Sequence, residues 1–186
     1  MLPKHHAFSV DDYERLYESG VLGENDRVEL IRGEIYEKMI IGDAHAACVK
    51  RLNALLHARL GGKDALVSVQ DPIRLPESMP EPDVVLARPR EDYYASGKPS
   101  ADDVLLLIEV ADTSLEFDRT TKLIDYAEAG IREYWIVNLP DRCIEVHQQP
   151  QPDGTFAHRR IVQSGSLCPA ALPRIVLSLA EVLPKL

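Results

Sequence analysis

Cysteine is scarce in this chain, with three residues among 186, at positions 48, 143 and 168. They are far apart, no two of them form a C-x-x-C pair, and their number is odd. This pattern argues against a disulfide framework and against a structural zinc site, which needs closely spaced ligands. We therefore expect all three cysteines to be reduced and to contribute to packing.

The chain also lacks long apolar runs and an excess of basic residues. No apolar segment approaches the ~20 residues of a transmembrane helix, and the first residues, MLPKHHAFSVDD, lack the apolar core of a signal peptide. We therefore expect a cytoplasmic protein with no membrane partner. The net charge of −9 disfavours non-specific binding of nucleic acid, which requires a concentrated cationic surface. Acids that bind a cation would contribute to the same balance.

The composition is that of an ordinary globular protein, with 45% hydrophobic and 27% charged residues. A chain of this length buries about 70% of the surface that it exposes when unfolded. We found no internal repeat and no low-complexity segment. The sequence therefore predicts a single domain over residues 1–186.

Local patterns predict alternating helices and strands. Before residue 80 they predict a helix from Ser9 to Ser19, a hairpin of Val28–Ile31 and Glu34–Glu37, a helix over Asp43–Leu60 and a strand over Leu66–Leu75. After residue 80 they predict strands at Asp83–Ala87 and Val104–Val110, a helix over Asp118–Ala129, a strand at Glu133–Val137, and a hairpin of Ile144–Gln148 and Phe156–Val162. The strand, helix and strand from Val104 to Val137 form a βαβ unit, which predicts two parallel strands.

Two carboxylates occur in segments that are otherwise apolar. Glu109 interrupts the run VLLLIEV, and Asp83 opens the run DVVLA. An ionised carboxylate buried there costs several kcal/mol unless a cation or hydrogen-bond donors compensate it. If the two strands are antiparallel neighbours, both acids lie at the same edge of the sheet. Such a pair suits Mg²⁺, and the carbonyl of Val110 could add a further ligand.

A lysine on the following helix completes this group. Lys122 lies one turn into the predicted helix, and its ammonium could orient a nucleophilic water and neutralise charge in the transition state. Asp83, Glu109 and Lys122 together predict a metal-dependent phosphodiesterase site. We expect Asp118 to cap the helix or to form an exposed pair with Lys122, and His45 to be a capping or surface residue.

The order of several motifs resembles the Uma-type endonuclease family, a group of restriction-endonuclease-like proteins in the PD-(D/E)XK nuclease superfamily. The motifs are GEI at 33–35, His45, PD at 82–83, IEV at 108–110, Asp118, Lys122, Tyr126 and GIREYWIVN from Gly130. The resemblance runs from Phe8 to Leu183. It implies an α/β (α+β) fold, with a restriction-endonuclease-like mixed β-sheet flanked by helices. It also implies divalent-metal hydrolysis of phosphodiester bonds and a homodimer.

The resemblance implies Asp83 and Glu109 as metal ligands, Lys122 as the catalytic lysine and, more weakly, Glu29 as an accessory acid. The superfamily pattern has its lysine two residues after the second acid, where this chain has Ala111. The leading prediction is an endonuclease that acts on DNA with Mg²⁺ or Mn²⁺. Two alternatives stay open: a catalytically inactive interaction module with the same fold, and a metal-dependent hydrolase of a non-nucleic phosphoester.

Overall fold

The structure is a computed structural model that describes residues 5–23, 25–60 and 63–184. Its central sheet is six-stranded, with the order β3-β4-β5-β6-β7-β8. These strands are β3 (Leu66–Ser68), β4 (Val84–Ala87), β5 (Val104–Ala111), β6 (Glu133–Asn138), β7 (Cys143–Pro150) and β8 (Phe156–Val162). A hairpin of β1 (Val28–Ile31) and β2 (Glu34–Glu37) lies outside this sheet, as does the short pair of β9 (Ser166–Leu167) and β10 (Leu177–Ser178).

The helices are α1 (Val10–Glu18), α2 (Asp43–Arg59), α3 (Leu115–Phe117), α4 (Leu123–Glu128) and α5 (Leu179–Val182). A π-helical turn, Asp118–Lys122, joins α3 to α4. α1 begins after Ser9 as predicted, because the side chains and amides of Ser9 and Asp12 form a reciprocal capping box. Within the described ranges, no helix is long and apolar enough to cross a membrane.

Helices cover both faces of the sheet, in agreement with the predicted fold class. On one face, Leu52 and Leu56 of α2 pack in one core with Leu106 and Ile108 of β5. On the other face, Tyr126 of α4 packs with residues of β4, β5 and β6. Alternate residues of a strand point to opposite faces, so β5 contributes to both cores.

The strand pairings confirm the predicted topology around the acids. β4 and β5 are antiparallel, with Val84 opposite Ile108. β5 and β6 are parallel, with Glu109 beside Ile136, as expected for the βαβ unit. The hairpin of β7 and β8 is also present where the sequence predicts it.

The β1–β2 hairpin is held against the segment that precedes β4. Its turn uses Arg32 and Gly33, both with positive φ (51° and 76°), which suits a tight hairpin turn. A Cβ on Gly33 would lie 2.7 Å from the Cβ of Ala7, so a larger residue does not fit there. The amide of Met79 donates to the carbonyl of Leu30 at 2.8 Å. These contacts place the neighbouring Glu29 over the end of β5.

Two predicted elements differ from the structure. The strand predicted over Leu66–Leu75 ends at Ser68, because Gln70 has a positive φ of 57° and its amide donates to the carbonyl of Pro82. The helix predicted from Asp118 begins earlier, at Leu115, and contains the π-helical turn. Sequence periodicity does not reveal such a turn, because a π-helical turn inserts one residue into an otherwise regular helix.

Candidate active site

Asp83 and Glu109 meet at one edge of the sheet, where β4 begins and β5 ends. The amide of Asp83 donates to Oε2 of Glu109 at 3.2 Å, and the amide of Val110 donates to Oδ2 of Asp83 at 2.8 Å. Both carboxyl groups are buried, with Asp83 8% and Glu109 4% exposed. The antiparallel register therefore brings the two acids together as the sequence predicts.

Lys122 joins Glu109 to a third acid, Glu29 of the β1–β2 hairpin. Its Nζ lies 3.0 Å from Oε1 of Glu109 and 3.0 Å from Oε1 of Glu29. Lys122 is only 7% exposed and belongs to the π-helical turn. The four predicted catalytic residues, Asp83, Glu109, Lys122 and Glu29, thus form one connected group.

Burial and like charge govern the protonation of this group. Burial raises the pKa of Glu109; the ammonium of Lys122 opposes this shift, while Asp83 and Asp118 add to it. Burial alone would lower the pKa of Lys122, but the charges of Glu109, Glu29 and Asp118 outweigh burial and raise it. Lys122 is therefore an ammonium at neutral pH, and it lies close to more carboxyl groups than its single charge can neutralise.

Asp83 is surrounded by hydrogen-bond donors. Nε2 of His45 lies 2.9 Å from its Oδ2, and Nε2 of Gln70 donates to its Oδ1 at 3.2 Å. Burial would raise the pKa of Asp83, but the bonds and charge of His45 and the amide of Val110 hold it below its usual value. Asp83 is therefore ionised at neutral pH.

Three residues of the motif order were given no role at this site from the sequence. His45 was expected to be a capping or surface residue, but its side chain is only 13% exposed. Asp118 was expected to cap its helix or to form an exposed pair with Lys122, yet it is 2% exposed and accepts a hydrogen bond from Ser114. Tyr126 is fully buried, and its hydroxyl donates to Glu109 at 2.8 Å. Its position four residues after Lys122 could have revealed it, because such residues share a helix face.

The acids line a cleft of about 1000 Å³. Four buried carboxyl groups border it, from Glu29, Asp83, Glu109 and Asp118. Next to these buried acids lie two groups that can carry positive charge, Lys122 and His45; Arg27, Lys38 and Lys98 also line the cleft. Among the described residues, no three His, Cys, Asp or Glu side chains are grouped to enclose a metal. Mg²⁺ needs only one or two carboxylates, with waters and substrate oxygens completing its shell. The surplus of buried carboxylates therefore fits a divalent cation.

Comparison with known proteins agrees with the fold and the motif order. The family model Uma2, described as "Putative restriction endonuclease", matches residues 10–180. The chain is similar in structure to a "putative nuclease belonging to DUF820" from Anabaena variabilis ATCC 29413, with a TM-score of 0.73 and 15% identity over 94% of this chain and 97% of that one. Among curated proteins, none is significantly similar to this chain. The family match covers most of the chain and includes every residue of the connected acid–lysine group, so the protein belongs to the Uma2 family of restriction-endonuclease-like proteins.

Proposed function

We propose that this protein is a metal-dependent endonuclease that hydrolyses phosphodiester bonds in DNA. One observation carries the proposal: two buried carboxyl groups, those of Glu109 and Glu29, contact the ammonium of Lys122 at the wall of an open cleft, and the buried carboxyl group of Asp83 lies beside Glu109. Clustered buried carboxyl groups destabilise a fold, and such clusters occur preferentially at functional sites. Membership of a restriction-endonuclease-like family supports nucleic acid as the substrate.

Asp83 and Glu109 would hold Mg²⁺ or Mn²⁺, with the carbonyl of Val110 as a further ligand. When bound, such a cation polarises the phosphate and lowers the pKa of a coordinated water. Val110 also contributes through its amide, which orients the carboxylate of Asp83. His45 and Gln70 hold the same carboxylate from the other side.

Lys122 acts as the positioned cation of the site. An ammonium has three hydrogen-bond donors; Lys122 donates one to Glu109 and forms an ion pair with Glu29. A remaining donor can bind the attacking water or a phosphate oxygen in the cleft. Glu29 serves as the accessory acid, because it holds Lys122 and accepts the amide of Glu81 at 3.2 Å. The hydroxyl of Tyr126 donates to Oε1 of Glu109 and so helps to fix the position of this carboxyl group.

A plasmid-nicking assay with and without Mg²⁺ or Mn²⁺ tests this function. We expect cleavage that requires the cation, stops with EDTA and is abolished by Glu109→Ala. The matched control is Glu116→Ala, which removes an exposed acid two residues before the π-helical turn. Cleavage by the Glu109→Ala variant, or cleavage that EDTA leaves intact, would refute the mechanism. A panel of plasmid, single strands, RNA and small phosphoesters then identifies the substrate.

One observation favours the alternative of an inactive module. The oxygens of Asp83 already accept hydrogen bonds from His45, Gln70 and Val110, so a cation must compete with these donors. Ala111 stands where the superfamily pattern has its lysine. Calorimetry separates the two functions, because an inactive module shows no Mg²⁺ or Mn²⁺ binding that depends on Asp83.

We also propose that residues 1–186 form one domain, that the protein is a cytoplasmic homodimer, and that its second copy pairs along β8. This strand stands last in the sheet order, beside β7, and an edge strand offers backbone groups for pairing. Analytical ultracentrifugation measures the oligomeric state directly.

A further inference from the structure

A second cluster of charged residues lies on β7, away from the acids of the cleft. Glu145 is fully buried, at 0% exposure, and two arginines contact it. Nε of Arg119 donates to its Oε1 at 2.9 Å, and Nη2 of Arg159 donates to its Oε2 at 2.7 Å. A single buried carboxylate is thus matched by two guanidinium groups, and the Arg159 side chain is still 52% exposed.

These residues border a cavity of about 220 Å³, several times the ~30 Å³ share of one water molecule. It is lined by Arg119, Leu123, Glu145, His147, Thr155, Phe156 and Arg159. His147 is 3% exposed, and its Nε2 is buried with no hydrogen-bond partner in the part of the chain described. Buried polar atoms are rarely left unpaired, so this nitrogen points to a ligand of the cavity.

The charge of the cavity favours an anion. Of the residues that line it, Arg119 and Arg159 are positive and Glu145 is negative, so the lining has a net charge of +1. Oε2 of Glu145 lies 4.0 Å from Nε2 of His147, and the exposed carboxylate of Asp141 lies 3.6 Å from Arg119, outside the lining. Burial, followed by the charge of Arg159, lowers the pKa of His147 to about 4. His147 is therefore neutral at pH 7 and can donate one N–H.

Glu109 of the active site and Glu145 of the cavity lie in register across the sheet, with one residue of β6 between them. Glu109 lies beside Ile136, and Ile136 lies beside Glu145, so both acids project from the same face. Two strand spacings separate them by about 10 Å. Lys122 and Arg119, three residues apart on the helical segment above, contact these two acids respectively.

We propose that the cavity between Arg119 and Arg159 binds a phosphate group. Planar guanidinium groups suit phosphate oxygens through paired hydrogen bonds, and His147 supplies a further donor. The phosphate belongs either to the nucleic-acid strand cleaved at Glu109, a source that rests on the proposed function, or to free phosphate.

The test compares two neighbouring arginines of β8. Arg159 pairs with His147, whereas Arg160 pairs with Val146, whose side chain belongs to the core on the opposite face. Arg159→Gln and Arg160→Gln therefore change the net charge equally, but only the first changes the cavity. Arg119 stays in place, so Glu145 keeps a partner, and thermal unfolding of each variant verifies its fold.

Binding is measured in EDTA, by calorimetry with inorganic phosphate and by fluorescence anisotropy with a labelled single-stranded oligonucleotide. We expect Arg159→Gln to weaken phosphate binding about tenfold, the effect of losing one charge-assisted hydrogen bond, and Arg160→Gln to leave it within about twofold. A parallel loss of oligonucleotide binding identifies the substrate strand as the source, and an unchanged oligonucleotide affinity identifies free phosphate.

Absence of phosphate binding by the unmodified protein, or equal weakening by the two variants, would overturn the proposal. The arginines would then only neutralise Glu145. Because no step of this test requires cleavage, a protein without nuclease activity that still binds phosphate through Arg159 would refute the proposed function and leave this site in place.

Discussion

Replacing Lys122 with methionine tests the electrostatic design of the site most directly. Methionine fills a similar volume but removes the ammonium that lies 3.0 Å from both Glu109 and Glu29. Both acids are buried, and removing one partner of a buried ion pair costs about 3–5 kcal/mol. For a chain of this size that loss lowers Tm by roughly 10 °C.

The stability that Lys122→Met removes should depend on pH, and the direction of this dependence follows from the raised pKa of Glu109. An acid with a raised folded-state pKa binds protons more tightly in the folded state, so stability falls as the pH rises from its unfolded pKa to its folded pKa. Without Lys122 the folded pKa rises further, and the fall becomes larger. The pKa of Lys122 itself is raised above its ordinary value, so its own titration lies above this range.

Thermal and urea unfolding at about pH 5 and about pH 8 measures the effect. We expect Lys122→Met to lose more stability at the higher pH, and added Mg²⁺ to recover part of that loss. The control is Lys98→Met, whose partly exposed pair with Glu14 should contribute less than about 1 kcal/mol at either pH. Equal stability of Lys122→Met and the unmodified protein at the higher pH, or a loss that does not change with pH, would refute this reasoning.

Two further predictions concern other titrations. Burial raises the pKa of Asp125 to about 6, so its ionisation should lower the free energy of unfolding between about pH 4 and pH 6 by up to about 3 kcal/mol. Asp125→Asn should remove this fall. Parallel pH–stability curves for the variant and the unmodified protein would contradict the prediction. Mg²⁺ requires ionised ligands, so its affinity for the protein should rise as the pH passes through the raised pKa of Glu109. Calorimetry in two buffers detects the protons that binding releases. An affinity that does not change with pH would contradict the assignment of Glu109 as a metal ligand.

Local sequence patterns were sufficient to place the core of the candidate site. Glu109 stood out because it interrupts a buried strand, and Asp83 because it opens the neighbouring one. Antiparallel pairing of these two strands would place the start of one beside the end of the other, so their meeting could be expected on that condition. Lys122 followed because the next helix must cross the same face of the sheet. These are properties of strand and helix periodicity, and they depend on nearby residues.

Other parts of the site depend on residues that are distant in the chain. Glu29 reaches Lys122 because the β1–β2 hairpin is held by Leu30 and Met79. His45 reaches Asp83 because α2, which carries His45, packs against β4 and β5. Neither contact follows from a local pattern, since a histidine near the start of a helix or an acid in a hairpin usually faces solvent.

The sequence by itself therefore determined the family, the sheet with helices on both faces, and the chemical identity of the two acids and the lysine. The tertiary structure decided their electrostatics, because burial and the distances between charges arise only when separate elements pack. It also decided the pairing of Glu145 with Arg119 and Arg159. Arg159 lies on the largely exposed strand β8, yet it contacts an acid that is fully buried.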